Sequence, residues 1–591
     1  MLVSSALTAL LALSPALSLV SAAPSKQVDK PNIVFIIVDD QDARQNTIDT
    51  MPRLQRLLVD EGTKFEKFYA PISVCCPSRT SFLRAQCAHN TNITSVMPPW
   101  GGWTIFNEKG YNGHWLPTFL QKAGYYTSYV GKLMNGHSVP TFETLEAQGW
   151  DGKLSRYHAF LLDPYTYDYW NPAFSKGSSG KGVEYRPGEY STDLVAEKGL
   201  DLLEKAAQSD KPFFVGIAPI APHSHIDAAS HSDRTIPPLF DIPRPHPRHA
   251  HLFQDVTLNY SRASHNPDVP SGASWVRQLE RLNDTNVKYI EDFYRGRLQS
   301  LQAVDELVEG VVKKLEELGK LDETIIIYTA DNGFEANGGH RRQPGKTLGY
   351  EEDINVPLVV RGPGVPHTID TTSVYSLADL GATILHLAGA ESDYDHDGAL
   401  VPLTQDLRDQ VKEEGGAKQF HLAEYWVEGV GEGKYGSGIN HVNQTYRTIR
   451  VVEGDSIDYA YTVWCTGERE IYNMQTDPDQ MDNLALHSHS PLSFTGRLHA
   501  RLDALLLVLK NCVGDVCRDP WATVFPEGGV KGLSDALNEE YDQYFEELPR
   551  VRYSHCQIGY FQALEKPFWR DELAYSPQHY AASGSQVVLG A

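Results

Sequence analysis

Positive charge is in short supply in this chain. Its 591 residues carry 52 Lys and Arg against 76 Asp and Glu, a formal net charge of −24. That balance excludes nucleic acid and an anionic membrane surface as partners, because both would be repelled. Long apolar runs are equally scarce. The stretch Leu7 to Val20 is one, and Ser14-Pro15 interrupts it. No other stretch is long and apolar enough to cross a bilayer, so no membrane span is expected beyond the N-terminus. Cysteine is sparse, and its count of seven is odd, so intramolecular pairing leaves at least one out. What remains, 41% apolar and 22% charged residues, is the composition of a soluble globular protein. The length exceeds one ordinary domain, so two or more cores are expected.

Residues 1–22 carry no charged side chain and end in Val20-Ser21-Ala22, small residues suited to cleavage near Ala22 or Ala23. This reads as a secretory signal peptide, although its start lacks Lys or Arg; an N-terminal anchor is the alternative. Export fits four N-x-S/T sequons, which predict glycosylation at Asn92, Asn259, Asn283 and Asn443. The expected location is the secretory pathway or outside the cell, with vacuole, lysosome and cell surface included. Cys512 and Cys517 enclose a four-residue loop and are the easiest pair to bridge.

Two apolar, β-rich runs stand far apart. Asn32 to Val38 ends abruptly in Asp39-Asp40, and Thr324 to Thr329 ends in Asp331-Asn332. Each reads as a strand buried on both faces, and ligand sites of α/β sheets lie at the carboxyl ends of such strands. Either acidic tip alone is as well explained by a polar turn. Together they offer hard oxygen donors without Cys or His, which points to Ca²⁺ or Mg²⁺. Further strands are expected at Thr63–Tyr69, Tyr125–Val130, Phe213–Ile217 and Val356–Val360. Helices are expected at Met51–Glu61, Leu116–Ala123, Ser376–Ala388 and Asp284–Leu318, the last with Gly296 as a candidate break. The segment from His225 to Trp275 is rich in His and Pro, yet its spacing matches no standard ligand pattern, and it reads as a surface excursion. Polar residues from Asp395 to Glu414 mark a boundary. The domains are therefore set at 30–400 and 415–591, the second a smaller α+β unit with a Cys-containing tail.

The stretch Cys75-Cys76-Pro77-Ser78-Arg79 opens an amphipathic helix. Pro77 suits a first turn, where its missing N–H costs nothing. Cys75 is then expected just outside the helix N-terminus, where N–H groups and the helix dipole favour negative charge, with Arg79 one turn further on. A nucleophile beside an anion cradle is the functional reading; a buried Cys pair is the plain one.

C-x-P-S-R resembles the site at which sulfatases convert cysteine to formylglycine. The flanks extend the resemblance through Pro31-Asn32-Ile33 to Asp39-Asp40, Gly131-Lys132, Ala221-Pro222-His223, Thr329-Ala330-Asp331-Asn332-Gly333, Lys346, Val356-Pro357 and Ile471 to Leu484. It covers most of residues 30–520 and looks most like the branch holding fungal arylsulfatases and N-acetylglucosamine-6-sulfatases. The fold implied is α/β and alkaline-phosphatase-like, a large mixed sheet between helices with a smaller C-terminal sheet. The roles implied are one Ca²⁺ ion (Mg²⁺ as the alternative) on Asp39, Asp40, Asp331 and Asn332, and formylglycine from Cys75, made by a formylglycine-generating enzyme. Arg79, Lys132 and Lys346 would stabilise its hydrate and clamp the sulfate, and His223 would bind sulfate or assist the leaving group. With Cys75 consumed, six cysteines remain for pairing. One position departs from the family: where many sulfatases have a His two residues after the Lys of the Gly-Lys motif, this chain has Met134, with His137 nearby.

The implied activity is hydrolysis of a small-molecule sulfate ester, an aryl sulfate first and a sulfated sugar as the alternative. Trp100, Trp103, Trp115 and Tyr111 would line an aromatic pocket or belong to the core. A phosphatase or phosphonate hydrolase, or a secreted binding protein without catalysis, are the competing classes. C-x-P-S-R opposes the first, and the intact Cys75, Arg79, Lys132, His223 and Lys346 oppose the second.

Overall fold

The computed structural model describes residues 30–151, 158–176, 182–232, 239–436, 438–487, 490–565 and 567. The signal-peptide stretch 1–22 lies outside the described residues. Strand β1, Asn32–Val38, is buried on both faces, as its unbroken apolar run requires. It sits inside an eight-stranded mixed sheet. The other strands are β2 (Thr63–Phe65), β3 (Tyr126–Gly131), β4 (His158–Phe160), β5 (Phe213–Ala218), β6 (Thr324–Ala330), β7 (Leu358–Arg361) and β8 (Thr368–Asp370). Their order across the sheet is β8-β2-β7-β6-β1-β5-β3-β4.

Strands β6, β1, β5 and β3 run parallel. Pairing of β1 with β6 extends from Asn32↔Thr324 to Val38↔Ala330, so the two acidic tips end at the same level. The structure breaks the expected strand Thr63–Tyr69 in two, β2 and the short piece Phe68–Tyr69, which pair with different partners.

Helices cover both faces. They include α1 (Cys75–Arg84), α2 (Ser191–Ala207), α3 (Asp284–Glu317) and α4 (Leu377–Leu387). Phe35 of β1 stacks on Phe82 of α1 at 4.4 Å. Ile36 and its registered neighbour Ile217 point the other way. A Cβ on Gly199 of α2 would stand 3.1 Å from Ile217, so α2 covers that opposite face. Gly381 of α4 meets α1 closely enough that a Cβ would strike the Phe82 carbonyl oxygen at 2.2 Å. Helix α3 is not broken at Gly296; it is continuous. The glycine instead makes room for the excursion after His225, since a Cβ there would lie 2.5 Å from Ile242.

A second, antiparallel sheet follows. It is ordered β9-β12-β13-β14, with β9 at Phe420–Tyr425, β12 at Tyr446–Glu453, β13 at Ile457–Trp464 and β14 at Arg469–Asn473. A separate hairpin joins β10 (Gly429–Gly431) to β11 (Gly438–His441). Helix α5, Phe494–Leu509, packs its buried leucines against this sheet. Two disulfides, Cys465–Cys556 and Cys512–Cys517, fasten the tail. The easiest pair is thus bridged, and Cys75, Cys76 and Cys87 are free, so four of the seven cysteines are joined. Among the described residues no helix is long and apolar enough to cross a membrane.

His89, on the short helix Ala88–Thr91 that follows α1, ties that helix to the second sheet and the tail. Its Nδ1 lies 2.9 Å from Glu424 of β9, and its Nε2 2.8 Å from the carbonyl oxygen of Cys512. Burial opposes the charged ring, but Glu424 outweighs it and holds the pKa above the ordinary 6.5. A raised folded value gives stability that is complete below pH 6.5 and is lost as pH climbs through that raised value. The unfolding free energy of the parent should therefore exceed that of His89→Ala by more at about pH 6 than at about pH 9. An equal difference at both pH values would show that His89 is not charged in the folded chain.

Candidate active site

The carboxyl ends of β1, β3, β5 and β6 converge on one edge, and the residues immediately beyond them form a buried polar cluster. Asp39 and Asp40 follow β1, Lys132 follows β3, and Asp331 and Asn332 follow β6. His223 lies five residues past β5. The Asp331 N–H donates to the Val38 carbonyl oxygen at 3.2 Å, which extends the ladder by one rung and fixes the two acidic tips side by side. Asp40 adopts φ 65°, a left-handed conformation that Asp and Asn tolerate better than most residues.

Helix α1 brings Cys75 and Arg79. Cys75 is not outside the helix but is its first residue, with Val74 as N-cap and Pro77 third. Pro77 fits there because the first intrahelical bond is made by the Ser78 N–H to the Val74 carbonyl. The Cys75 thiol lies 3.4 Å from Asp39 Oδ1 and 3.8 Å from Asp40 Oδ1. A helix N-terminus ordinarily favours the thiolate. Here burial and the Asp39 carboxylate win, and the thiol is pushed well above its ordinary range. As a plain cysteine, Cys75 is therefore a protonated, weak nucleophile.

Three cations meet the carboxylates. Arg79 Nε donates to Asp331 Oδ2 at 2.7 Å and Nη1 to the Lys132 carbonyl at 2.5 Å, while its buried Nη2 has no partner among the described residues. Lys132 Nζ donates to Asp39 Oδ2 at 2.5 Å. Lys346 Nζ donates to both Asp40 oxygens, at 2.7 and 2.5 Å. Burial alone would discharge the lysines, but Asp39 and Asp40 hold Lys132 and Lys346 above the ordinary lysine value. Asp39 in turn is pushed up by burial and drawn down further by Lys132, and ends below its ordinary value.

His223 Nδ1 faces the Ser224 carbonyl at 2.7 Å and Nε2 stands 3.5 Å from Asp40 Oδ2. Its ring stacks on Tyr167, centroids 4.2 Å apart. Burial and the Lys346 ammonium lower its pKa to about 4, so the ring is neutral at physiological pH.

The donor set suits a hard divalent cation. Carboxylate oxygens of Asp39 and Asp40 lie within 4.8 Å of each other and of a His223 ring nitrogen and the Cys75 sulfur. Asn332 Nδ2 donates to Asp40 Oδ1 at 2.8 Å and to the Gly333 carbonyl at 2.7 Å, which fixes the amide orientation. Its Oδ1 is buried and has no partner among the described residues, an oxygen free to ligate. A second ligating cluster, Cys87, His89, Cys512 and Cys517, offers no open set, because Cys512 and Cys517 are bridged and His89 is engaged on both nitrogens. The His-rich segment after His225 forms no further cluster among the described residues.

All nine residues singled out from the sequence thus gather in one cluster: Asp39, Asp40, Cys75, Arg79, Lys132, His223, Asp331, Asn332 and Lys346. Trp103, Trp115 and Tyr111 instead belong to the core, and Trp100 packs edge-on against Phe561. Met134 is buried beside Thr80, its sulfur 3.9 Å from the hydroxyl. His137 turns away and packs edge-on against Trp103 and Phe160. The sequence reading missed Tyr167, whose hydroxyl accepts from Asn135 at 2.6 Å, and Glu432, which reaches the cluster from the far side of the C-terminal hairpin. Of the sequons, Asn259, Asn283 and Asn443 are exposed and Asn92 is half-buried.

A family model described as Sulfatase matches residues 31–390. An arylsulfatase of Volvox carteri is 35% identical over 556 residues, 89% of this chain and 82% of that protein. The human N-acetylglucosamine-6-sulfatase is 28% identical over 520 residues, 83% of this chain and 86% of that protein. Among solved structures, a Bacteroides fragilis protein solved as a candidate sulfatase superposes with a TM-score of 0.59 at 18% identity. It covers 85% of this chain and 99% of its own.

Proposed function

The chain belongs to the sulfatase family and is a sulfuric ester hydrolase, and from that premise we propose that it is an exported, formylglycine-dependent arylsulfatase that works with one Ca²⁺ ion. The observation that supports the site most is a pair of buried atoms of opposite kind, unpartnered among the described residues: the Arg79 Nη2 donor for an anion's oxygen and the Asn332 Oδ1 acceptor for a cation. Charge points the same way. Asp39, Asp40, Asp331 and Glu432 oppose Arg79, Lys132 and Lys346, which leaves one negative charge with His223 neutral. A divalent cation reverses that sign and lets the site accept a sulfate ester despite the −24 of the whole chain.

Asp39, Asp40, Asp331 and Asn332 would hold the ion, which supplies Lewis-acid neutralisation of charge on the sulfuryl oxygens. Cys75, converted to formylglycine, supplies as its hydrate one hydroxyl to attack sulfur and a second whose collapse to the aldehyde expels sulfate. Asp39, 3.4 Å from the Cys75 sulfur, borders that position and takes the proton of the attacking hydroxyl. Arg79, Lys132 and Lys346 are preorganised on the developing charge, so no reorganisation is needed during reaction. His223 faces the leaving oxygen. A phenol departs with less protonation than a sugar alcohol, which suits a ring that is neutral here. Tyr167 holds that ring in place by stacking.

Export is supported by the Leu7–Val20 run, the exposed sequons and the two disulfides. The catalytic unit is assigned to 30–400 and the smaller one to 415–591. Initial rates with a phenyl sulfate, a steroid sulfate and glucosamine-6-sulfate, side by side, test the substrate. The aryl ester should give the highest kcat/KM. A preference for glucosamine-6-sulfate would move the assignment to the sugar sulfatase branch.

A further inference from the structure

Glu432 is a buried carboxylate beside a site built for an anion, where it repels the substrate unless it does something else. It lies just after β10, in the Gly-rich hairpin of the C-terminal half, and is 3% exposed. Each of its oxygens takes a partner from the cluster. Oε1 lies 3.1 Å from Lys346 Nζ, and Oε2 accepts the hydroxyl proton of Ser224. Ser224 is the residue whose carbonyl oxygen anchors His223 Nδ1. The backbone is fastened at the same place. The Glu432 N–H donates to the Pro344 carbonyl at 2.8 Å, and Gly431 bridges to Gly345, next to Lys346.

We propose that Glu432 is a positioning residue for the reaction, a bracket from the C-terminal hairpin that holds Lys346 on one side and the His223–Ser224 pair on the other. Lys346 has a long, flexible side chain, and among the described residues its carboxylate partners are Asp40 and Glu432. Asp40 is shared with the metal site. If a divalent cation took the Asp40 carboxylate, Glu432 would remain to hold the Lys346 ammonium. The inference rests on the assignment of Lys346 to the sulfate clamp.

Glu432→Gln keeps the shape and removes the charge. It should lower kcat/KM about 10- to 100-fold, the range for losing one charge-assisted hydrogen bond. The factor should be the same for phenyl sulfate and for a sugar sulfate, because Gln keeps an oxygen to accept from Ser224 and the group released, Lys346, clamps the part common to both. Inhibition by inorganic sulfate should weaken by a similar factor. In a Lys346→Ala background, assayed with enough enzyme to measure the residual rate, Glu432→Gln should add less than about threefold. A parent-like rate and sulfate affinity for Glu432→Gln, or a full additional loss in the Lys346→Ala background, overturns the proposal. If Lys346→Ala itself leaves the rate unchanged, the clamp assignment fails instead, so the two failures are distinct. Should Glu432→Gln not fold, Ser224→Ala removes one anchor alone. A drop of about tenfold, reversed by Ser224→Thr, is expected, and an unchanged rate refutes the bracket.

Discussion

Cys75→Ser should fold, bind a sulfate ester and stop after one transfer. The thiol is buried at the start of α1, and a hydroxyl of similar shape leaves its neighbours Asp39 and Asp40 unmoved. A serine has one oxygen. Once that oxygen has attacked sulfur and expelled the phenol, it carries the sulfate as a stable ester. The elimination that a geminal hydroxyl would drive has no group to start from. The expected record is a stoichiometric burst of phenol, then a steady rate lower by roughly 10³-fold or more, the scale for loss of a nucleophile's function. The sulfate should be recoverable on the peptide that carries Ser at 75. Cys76→Ser should be mild on turnover, because Cys76 is free and belongs to the core; its cost falls on stability. Full multiple turnover by Cys75→Ser would return the site to phosphatase-like chemistry.

The metal assignment predicts the second large effect. Asp40→Asn is the clean variant, since Asn tolerates the left-handed backbone at φ 65° and keeps the side-chain shape. It removes one carboxylate from the donor set and a carboxylate partner of Lys346. Ca²⁺ affinity, measured by titration of the chelator-treated protein, should fall about 100-fold, and kcat/KM by roughly 10³-fold. Added Ca²⁺ should restore part of the rate. Asp331→Ala is a harsher test, because it also strands Arg79 as a buried, half-paired cation at a cost of about 3–5 kcal/mol. Unchanged Ca²⁺ stoichiometry and turnover in Asp40→Asn would show that the ion sits elsewhere.

Much of this site is legible in the amino-acid sequence because strand ends announce themselves. An unbroken apolar run that stops in two acids carries both the burial of β1 and the position of Asp39 and Asp40, and the same holds for β6 with Asp331 and Asn332. The register that sets those tips side by side is not legible, since it is a pairing between segments nearly three hundred residues apart. Helix α3 is legible from its period, but within it Gly296 reads as a candidate break where the helix is in fact continuous. A glycine in a helix looks the same in sequence whether it interrupts the helix or admits a neighbour such as Ile242. Glu432 was invisible for a related reason. It stands in a Gly-rich run without periodicity, and the one hint was the glycine density that marks close backbone approach. The aromatic cluster of Trp103 and Trp115 shows the converse case: large rings near a motif fill the core more readily than they line a pocket.

The conversion of Cys75 tests the account most directly. The protein should be produced in a cell that modifies C-x-P-S-R segments, digested, and the peptide spanning Cys75 weighed. The account predicts sulfur replaced by oxygen with loss of two hydrogens at Cys75, Cys76 unaltered, and specific activity in proportion to the converted fraction. An active preparation in which that peptide carries two ordinary cysteines would contradict it.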